Sequence, residues 1–68
     1  MRFMELIRTN GVPTNVAMHT ICCWEPHTDE KGLATGHTKI IFNGNPLGYV
    51  FAINFDDFTQ MYIERGMV

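Results

Sequence analysis

The residues with the greatest chemical potential lie in the middle of the chain. They are His19, Cys22, Cys23, His27 and His37. Zinc takes nitrogen and sulfur ligands of this kind, and on an extended strand His19, Cys23 and His27 would share one face. Their spacing matches no common zinc motif, however, and Pro26 disturbs the alternation before His27. We therefore predict no metal site and no cofactor, and we interpret these histidines as ordinary surface or packing residues.

Cys22 and Cys23 are adjacent in the sequence. Neighbouring side chains on a strand point to opposite faces, so we expect one thiol in the core, the other outside, and no disulfide between them. Neither lies in a setting that would generate a reactive thiolate, such as a helix N-terminus or a basic cluster. Reduced cysteines are typical of intracellular proteins, so we predict a cytoplasmic location.

The acidic residues also favour a structural role over catalysis. Asp56 and Asp57 open a predicted helix, where the helix dipole stabilises negative charge without any chemistry. Gly44 and Gly48 are followed by no Gly-Lys-Ser/Thr sequence, so they are turn glycines rather than a phosphate-binding loop. Taken with the cysteines and histidines, these observations predict a protein that is not an enzyme.

Composition excludes several other functional classes. The chain has 68 residues, a formal charge of −2, and five basic residues that form no cluster, so we predict no nucleic-acid binding. The sequence contains no apolar run near the roughly 20 residues of a membrane helix, so we predict no membrane insertion. An apolar fraction of 46% indicates an ordered domain, although one of this size buries a small core.

Periodicity and turn signals predict five strands and one helix within a single domain, residues 1–68. The strands are expected at about 3–9, 12–18, 19–25, 38–43 and 48–53, with a loop over 26–37 and a helix over about 55–65. This order predicts an α+β fold that is mostly β. We expect a four- to five-stranded antiparallel sheet, able to curl into a barrel-like shape, with the C-terminal helix packed on it.

Three local signals support this assignment. The pair Asn10-Gly11 is typical of a hairpin with a type I′ turn, in which both central residues have positive φ. Pro13 cannot donate to a sheet ladder, so it is predicted to lie on an edge strand or near the start of a strand. Asn54 is a suitable N-cap for the helix, and Gly66 is a suitable stop signal.

The chain carries more aromatic and methionine side chains than one helix on a small sheet covers easily. We predict that some of them form an exposed patch that binds another protein or a second copy in a homodimer. The residues assigned to this partner-binding patch are Trp24, Tyr49, Phe51 and Tyr62. The competing interpretation is that these side chains are simply core.

A second functional class is a small-ligand binding protein. An oligomer would form a pocket lined by aromatic residues and by the polar loop, with a cationic side chain as the complement of an anionic, nucleotide-like ligand. The residues assigned to this alternative are Arg8, Lys39, His27 and His37.

The order of turn and core residues also resembles the small FlbD/SwrD-type flagellar proteins and short bacterial and phage proteins of similar pattern. The matching residues are Leu6, Arg8, Asn10, Gly11, Asn15, Ile21, Trp24, Glu25, Thr38, Ile40, Phe42, Asn43, Gly44, Tyr49, Phe51, Phe58 and Ile63. The resemblance covers most of the chain and implies the same sheet-plus-helix fold. It implies no catalytic residues, and the flagellar role it implies is association with motor or basal-body proteins; a phage-encoded inhibitor is the other role considered.

Overall fold

The computed structural model describes residues 2–66, which form five strands and one α-helix. In chain order they are β1 (Phe3–Ile7), β2 (Pro13–Ala17), a 3₁₀ turn (Met18–Thr20), β3 (Ile21–Thr28), β4 (Ala34–Phe42), β5 (Asn45–Phe51) and α1 (Phe55–Gly66). All strand pairs are antiparallel, β1 with β2 in one sheet and β3-β4-β5 in the other. The predicted mostly-β α+β fold is confirmed, but as two sheets that do not close into a barrel.

The two sheets meet where β1 ends and β5 ends. Arg8 forms an isolated antiparallel bridge with Phe51, and the Ala52 N–H donates to the Ile7 carbonyl at 2.7 Å. A further backbone bond joins the 3₁₀ turn to the connection between β4 and β5, where the Asn43 N–H donates to the Thr20 carbonyl at 2.8 Å. These few backbone bonds fix the angle between the sheets and so define the space that the side chains fill.

The core lies between the sheets and under the helix. Alternation along β1 turns Met4 and Leu6 inward and leaves Phe3 and Ile7 exposed. The remaining buried apolar residues are Val16, Met18, Ile21, Ile40, Phe51 and Phe58. Thr38 is also fully buried, and its hydroxyl donates to the Ile53 carbonyl at 2.7 Å, so the polar group is satisfied.

The Asn10-Gly11 hairpin is present, but the predicted type I′ turn is wrong. Gly11 has a φ of +88°, whereas no residue other than glycine has positive φ in the described chain, which excludes Asn10. The Gly11 N–H donates to the Arg8 carbonyl at 2.8 Å and the Arg8 N–H donates to the Val12 carbonyl at 3.0 Å. The loop is therefore one residue longer than a type I′ hairpin and needs only one left-handed residue.

The helix begins as the sequence predicts. The Asn54 side-chain oxygen accepts from the backbone N–H of Asp56 at 2.8 Å and of Asp57 at 3.5 Å, which satisfies donors that the first turn leaves free. The helix runs through Gly66, one residue beyond the predicted end. It has 12 residues, and within residues 2–66 nothing helical has the length and apolar character needed to span a bilayer.

Two of the predicted element boundaries around β3 are wrong. His19 and Thr20 belong to the 3₁₀ turn rather than to the strand, and β3 continues through Pro26 to Thr28. Pro26 is tolerated because β3 pairs with β4 alone in the described chain, so its missing N–H falls on an edge strand. The predicted loop over 26–37 therefore shrinks to 29–33.

The boundaries of β4 and β5 also differ from the prediction. β4 begins at Ala34 rather than at residue 38, and β5 begins at Asn45 rather than at residue 48. The pairing register of β4 with β5 shifts between Ile40 and Phe42. Over this interval β5 has more residues than β4, and the last of the extra residues is Gly48. This irregularity in β5 depends on Gly48, whose φ is +66°.

Replacing Gly48 by alanine is expected to destabilise the fold more than the same change at Gly44. Both positions have positive φ, which costs an alanine about 1 to 2 kcal/mol. A Cβ at Gly48 would in addition lie 2.6 Å from the Ile40 carbonyl oxygen, whereas a Cβ at Gly44 meets nothing within 4 Å.

Urea unfolding of Gly48→Ala and Gly44→Ala, followed by circular dichroism, measures this difference in the free energy of unfolding. Equal losses for the two variants would contradict the close approach of β5 to Ile40.

Candidate functional site

The candidate site is a groove between the two sheets, with a volume of about 310 Å³. We call it the Tyr49 groove, and it is lined by Arg8, Thr14, Asn15, Val16, Ala17, Thr20, Phe42, Tyr49 and Phe51. One wall comes from β2 and the 3₁₀ turn, and the other from β4 and β5. The groove is lined mainly by aromatic and aliphatic side chains with a few polar groups, the composition typical of binding sites.

The charged end of the groove is formed by Arg8 and Tyr49. The Arg8 guanidinium carbon lies 4.7 Å from the centre of the Tyr49 ring, which is a cation–π contact. Arg8 is the one charged residue among those that line the groove. Because the ring covers one face of the guanidinium, the hydrogen-bond donors at its planar edge remain for an acceptor.

The aromatic wall follows from the register of β4 and β5. Tyr49 pairs with Ile40, so it shares the core-facing side of the sheet with a fully buried residue. It is nevertheless 44% exposed, because it lines the open groove. Phe42 lies beside it, with ring centres 6.0 Å apart, and Phe51 closes the floor 6.5 Å from Phe42.

The opposite wall is the free edge of β2. Within residues 2–66, β2 pairs with β1 alone. The Arg8 N–H donates to the Val12 carbonyl and the Met18 N–H donates to the Arg2 carbonyl, so even-numbered residues form the hydrogen-bonded pairs of this hairpin. Since ladder bonds alternate along an antiparallel strand, the backbone groups of Asn15 and Ala17 point away from β1.

The predicted edge position of Pro13 is confirmed by the same alternation. Pro13 is odd-numbered, so the N–H that it lacks would have pointed to the free edge. The available backbone groups of the edge are therefore the N–H and carbonyl of Asn15 and the N–H of Ala17, because the Ala17 carbonyl accepts the Thr20 hydroxyl at 2.6 Å. Both residues line the Tyr49 groove.

The four residues predicted to form one partner-binding patch are divided between different parts of the structure. Phe51 is 1% exposed and belongs to the core. Trp24 and Tyr62 pack against the core in the layer between β3 and α1. Of the four, Tyr49 alone is an exposed member of the groove, although Phe51 contributes to its floor.

Trp24 attaches the helix to the sheet. Its indole N–H donates to the Thr59 hydroxyl at 2.8 Å, and its ring meets Phe58 edge-on at a centroid distance of 5.1 Å. The Tyr62 ring lies 4.7 Å from the Trp24 ring. These contacts give Trp24 and Tyr62 a structural role, in agreement with the interpretation that both are core residues.

The four residues of the small-ligand alternative are also not brought together. Arg8 lines the Tyr49 groove, whereas His27 lines a separate depression of about 490 Å³ at the 29–33 turn. Lys39 and His37 line neither cavity. Lys39 is instead paired across the outer sheet face with Glu25 and Val50.

His27 and His37 are connected through Thr35. The Thr35 hydroxyl donates to the His27 carbonyl at 3.2 Å and also lies 2.9 Å from His27 Nδ1. The donor in the contact with Nδ1 is set by the tautomer of His27, and the His37 N–H donates to the Thr35 hydroxyl at 3.4 Å. These bonds hold the irregular register between β3 and β4, which is a structural role.

The two cysteines correct another prediction. Both Cys22 and Cys23 are exposed, and neither lies in the core. Residues 2–66 contain no group of three His, Cys, Asp or Glu side chains arranged to hold a metal ion. His19, on the 3₁₀ turn, is exposed as well.

Sequence reasoning missed the polar wall of the groove. Thr14, Asn15 and Thr20 carry no motif, and their proximity to Tyr49 arises from the angle between the sheets. Pro13 is the one residue that indicates this wall in the sequence, because it predicts an edge strand at this position.

Comparison with known protein families, curated proteins and solved structures finds no match to this chain. The geometry of the Tyr49 groove is therefore the basis of the functional argument. The resemblance to the FlbD/SwrD-type flagellar proteins stays a prediction.

Alanine substitution at Trp24 and at Tyr49 is expected to lower the free energy of unfolding by different amounts. Trp24→Ala removes packing and a hydrogen bond between the helix and the sheet, and should lower the free energy of unfolding by about 3 kcal/mol. Tyr49→Ala removes a half-exposed ring and should cost about 1 kcal/mol.

Thermal and urea unfolding measure both values. Trp24→Phe is the matched control, since it keeps most of the packing and loses the bond to Thr59. A Trp24→Ala protein as stable as the wild type would assign Trp24 to a binding surface instead.

Proposed function

We propose that this chain is a small, non-enzymatic protein-binding module that docks on a partner protein through the Tyr49 groove. The observation that supports the proposal is the juxtaposition of an exposed aromatic ring, a stacked arginine and an unpaired strand edge. Tyrosine and arginine are the residue types enriched among the strongest contributors to protein interfaces. Addition of an extended peptide to an exposed sheet edge is also a recurring mode of peptide recognition.

The partner segment in this proposal binds in extended conformation along β2. The N–H and carbonyl of Asn15 and the N–H of Ala17 supply main-chain hydrogen bonds, and Phe42 and Tyr49 receive one apolar side chain of the segment. Main-chain bonds provide affinity in such strand addition, while side-chain pockets provide specificity.

Charge defines a second feature of the partner. Arg8 is the charged residue of the groove, so the segment carries a carboxylate that its guanidinium can bind. The stacking of Arg8 on Tyr49 reduces the conformational entropy lost when that bond forms.

The resemblance to FlbD/SwrD-type proteins directs the choice of partner toward flagellar motor or basal-body proteins. The resemblance also includes short phage proteins, and for these the partner would be a host protein that the chain inhibits. In a homodimer, the β2 edges of two copies would pair with each other. These three partners share the requirement for an extended segment at the Tyr49 groove.

A phage-displayed library of random peptides tests the proposal without knowledge of the partner. We expect selected peptides to alternate apolar and other residues and to contain an acidic position. Tyr49→Ala should weaken their binding roughly thirtyfold, equivalent to the loss of about 2 kcal/mol typical of an interface hot spot. Arg8→Gln should weaken the acidic peptides in particular.

Hydrogen exchange followed by NMR supplies the structural readout. Bound peptide should slow exchange of the Asn15 and Ala17 amides, because both would then donate across a new ladder. Leu47→Ala is the matched control, since Leu47 is 80% exposed and does not line the groove. Peptides that bind Tyr49→Ala as tightly as the wild type would refute the docking site.

A small anionic, aromatic ligand is the second candidate function. The observation that favours it is the Arg8–Tyr49 stack beside a groove of about 310 Å³, which is near the lower limit of ligand pockets. This version needs neither His27 nor His37, which lie outside the groove.

Thermal denaturation with a panel of nucleotides distinguishes the two candidates. A ligand at one hundred times its Kd should stabilise the protein by about 2.7 kcal/mol, and this gain should disappear in Arg8→Gln. An unchanged midpoint across the panel, together with peptide binding, would exclude the small-ligand function.

A further inference from the structure

The two adjacent cysteines of β3 lie on the same face because of a β-bulge. Ile21 pairs with Phe42 and Cys23 pairs with Ile41, so β3 advances two residues while β4 advances one. Cys22 is the extra residue. In a regular strand one thiol of the pair would point inward, but here Ile21 is buried, Trp24 packs against the core, and both thiols are exposed.

The two thiols influence each other electrostatically. The pKa of Cys23 is raised, first by partial desolvation, then by the charge of Cys22 and the hydrogen bond to it, and finally by the charge of Glu25. Cys23 is therefore held as the neutral thiol, and a nucleophilic or redox role that depends on its thiolate is disfavoured.

We propose that Cys22 and Cys23 form a two-thiol site that chelates trivalent arsenic compounds. Soft sulfur ligands select soft, thiophilic elements, and the bulge presents two such ligands side by side at the surface. Arsenic(III) with one organic substituent needs two sulfur ligands from the protein, which is the number present here. Structural zinc needs four ligands, a set not found within residues 2–66.

The number of ligands favours arsenic over a metal cation for the same site. With phenylarsine oxide, two As–S bonds form while the As=O bond and two S–H bonds break. Both thiol protons leave with the oxygen as one water molecule, and no atom changes oxidation state. Zinc or cadmium would need ligands besides the two thiols, and residues 2–66 hold no group of three such side chains.

The test uses phenylarsine oxide and the reduced wild-type chain, kept reduced with a phosphine. Intact mass spectrometry should show one arylarsenic group per chain with loss of one water molecule. Competition with 2,3-dimercaptopropanol then gives the affinity. Cys22→Ser and Cys23→Ser should each bind roughly a hundredfold more weakly, because the second bond no longer forms within one molecule.

Two controls keep the proposal falsifiable. Both positions are exposed, so the serine variants should retain the wild-type circular dichroism and unfolding midpoint, which separates lost thiols from lost fold. The wild-type chain unfolded in guanidinium chloride should bind about tenfold more weakly than the folded chain, since the unfolded thiols must be ordered on binding. Single variants that bind like the wild type, or an unfolded chain that binds as tightly as the folded one, would overturn the proposed site.

Discussion

The structure depends on a short backbone seam between the ends of β1 and β5. The bridge between Arg8 and Phe51 and the hydrogen bond from Ala52 to Ile7 join two sheets that otherwise pair only within themselves among residues 2–66. The same residues connect the seam to both the core and the groove. Phe51 belongs to the buried core and to the lining of the Tyr49 groove, and Arg8 lines the groove beside it. Core and candidate site are thus two results of one constraint.

Local signals in the sequence predicted the elements that depend on local physics. The Asn54 cap, the edge position of Pro13 and the mostly-β content are properties of a residue and its near neighbours, and all three are present. The predicted type I′ turn at Asn10-Gly11 is wrong for a related reason. An Asn-Gly pair indicates a hairpin, but the loop length is decided by the register of the strands that it connects.

The errors at β3, β4 and β5 come from irregular pairing. A bulge is defined by the pairing of two strands, so the sequence of β3 alone cannot show that Cys22 is an extra residue. For the same reason it cannot show that Trp24 turns inward. The groove could not be predicted for a similar reason, since Arg8 and Tyr49 are far apart in sequence and meet through the seam. Aromatic content indicated the right residue types but could not separate Tyr49 from Trp24.

The open edge of β2 has a further consequence for solubility. An unpaired edge is a template on which identical chains can add without limit and form fibrils. Here the template is interrupted at both ends: Pro13 offers no donor, and the Ala17 carbonyl already accepts the Thr20 hydroxyl at 2.6 Å. The edge can therefore receive one short strand yet cannot propagate a long ladder, so the same proline that marks a place for binding also limits polymerisation.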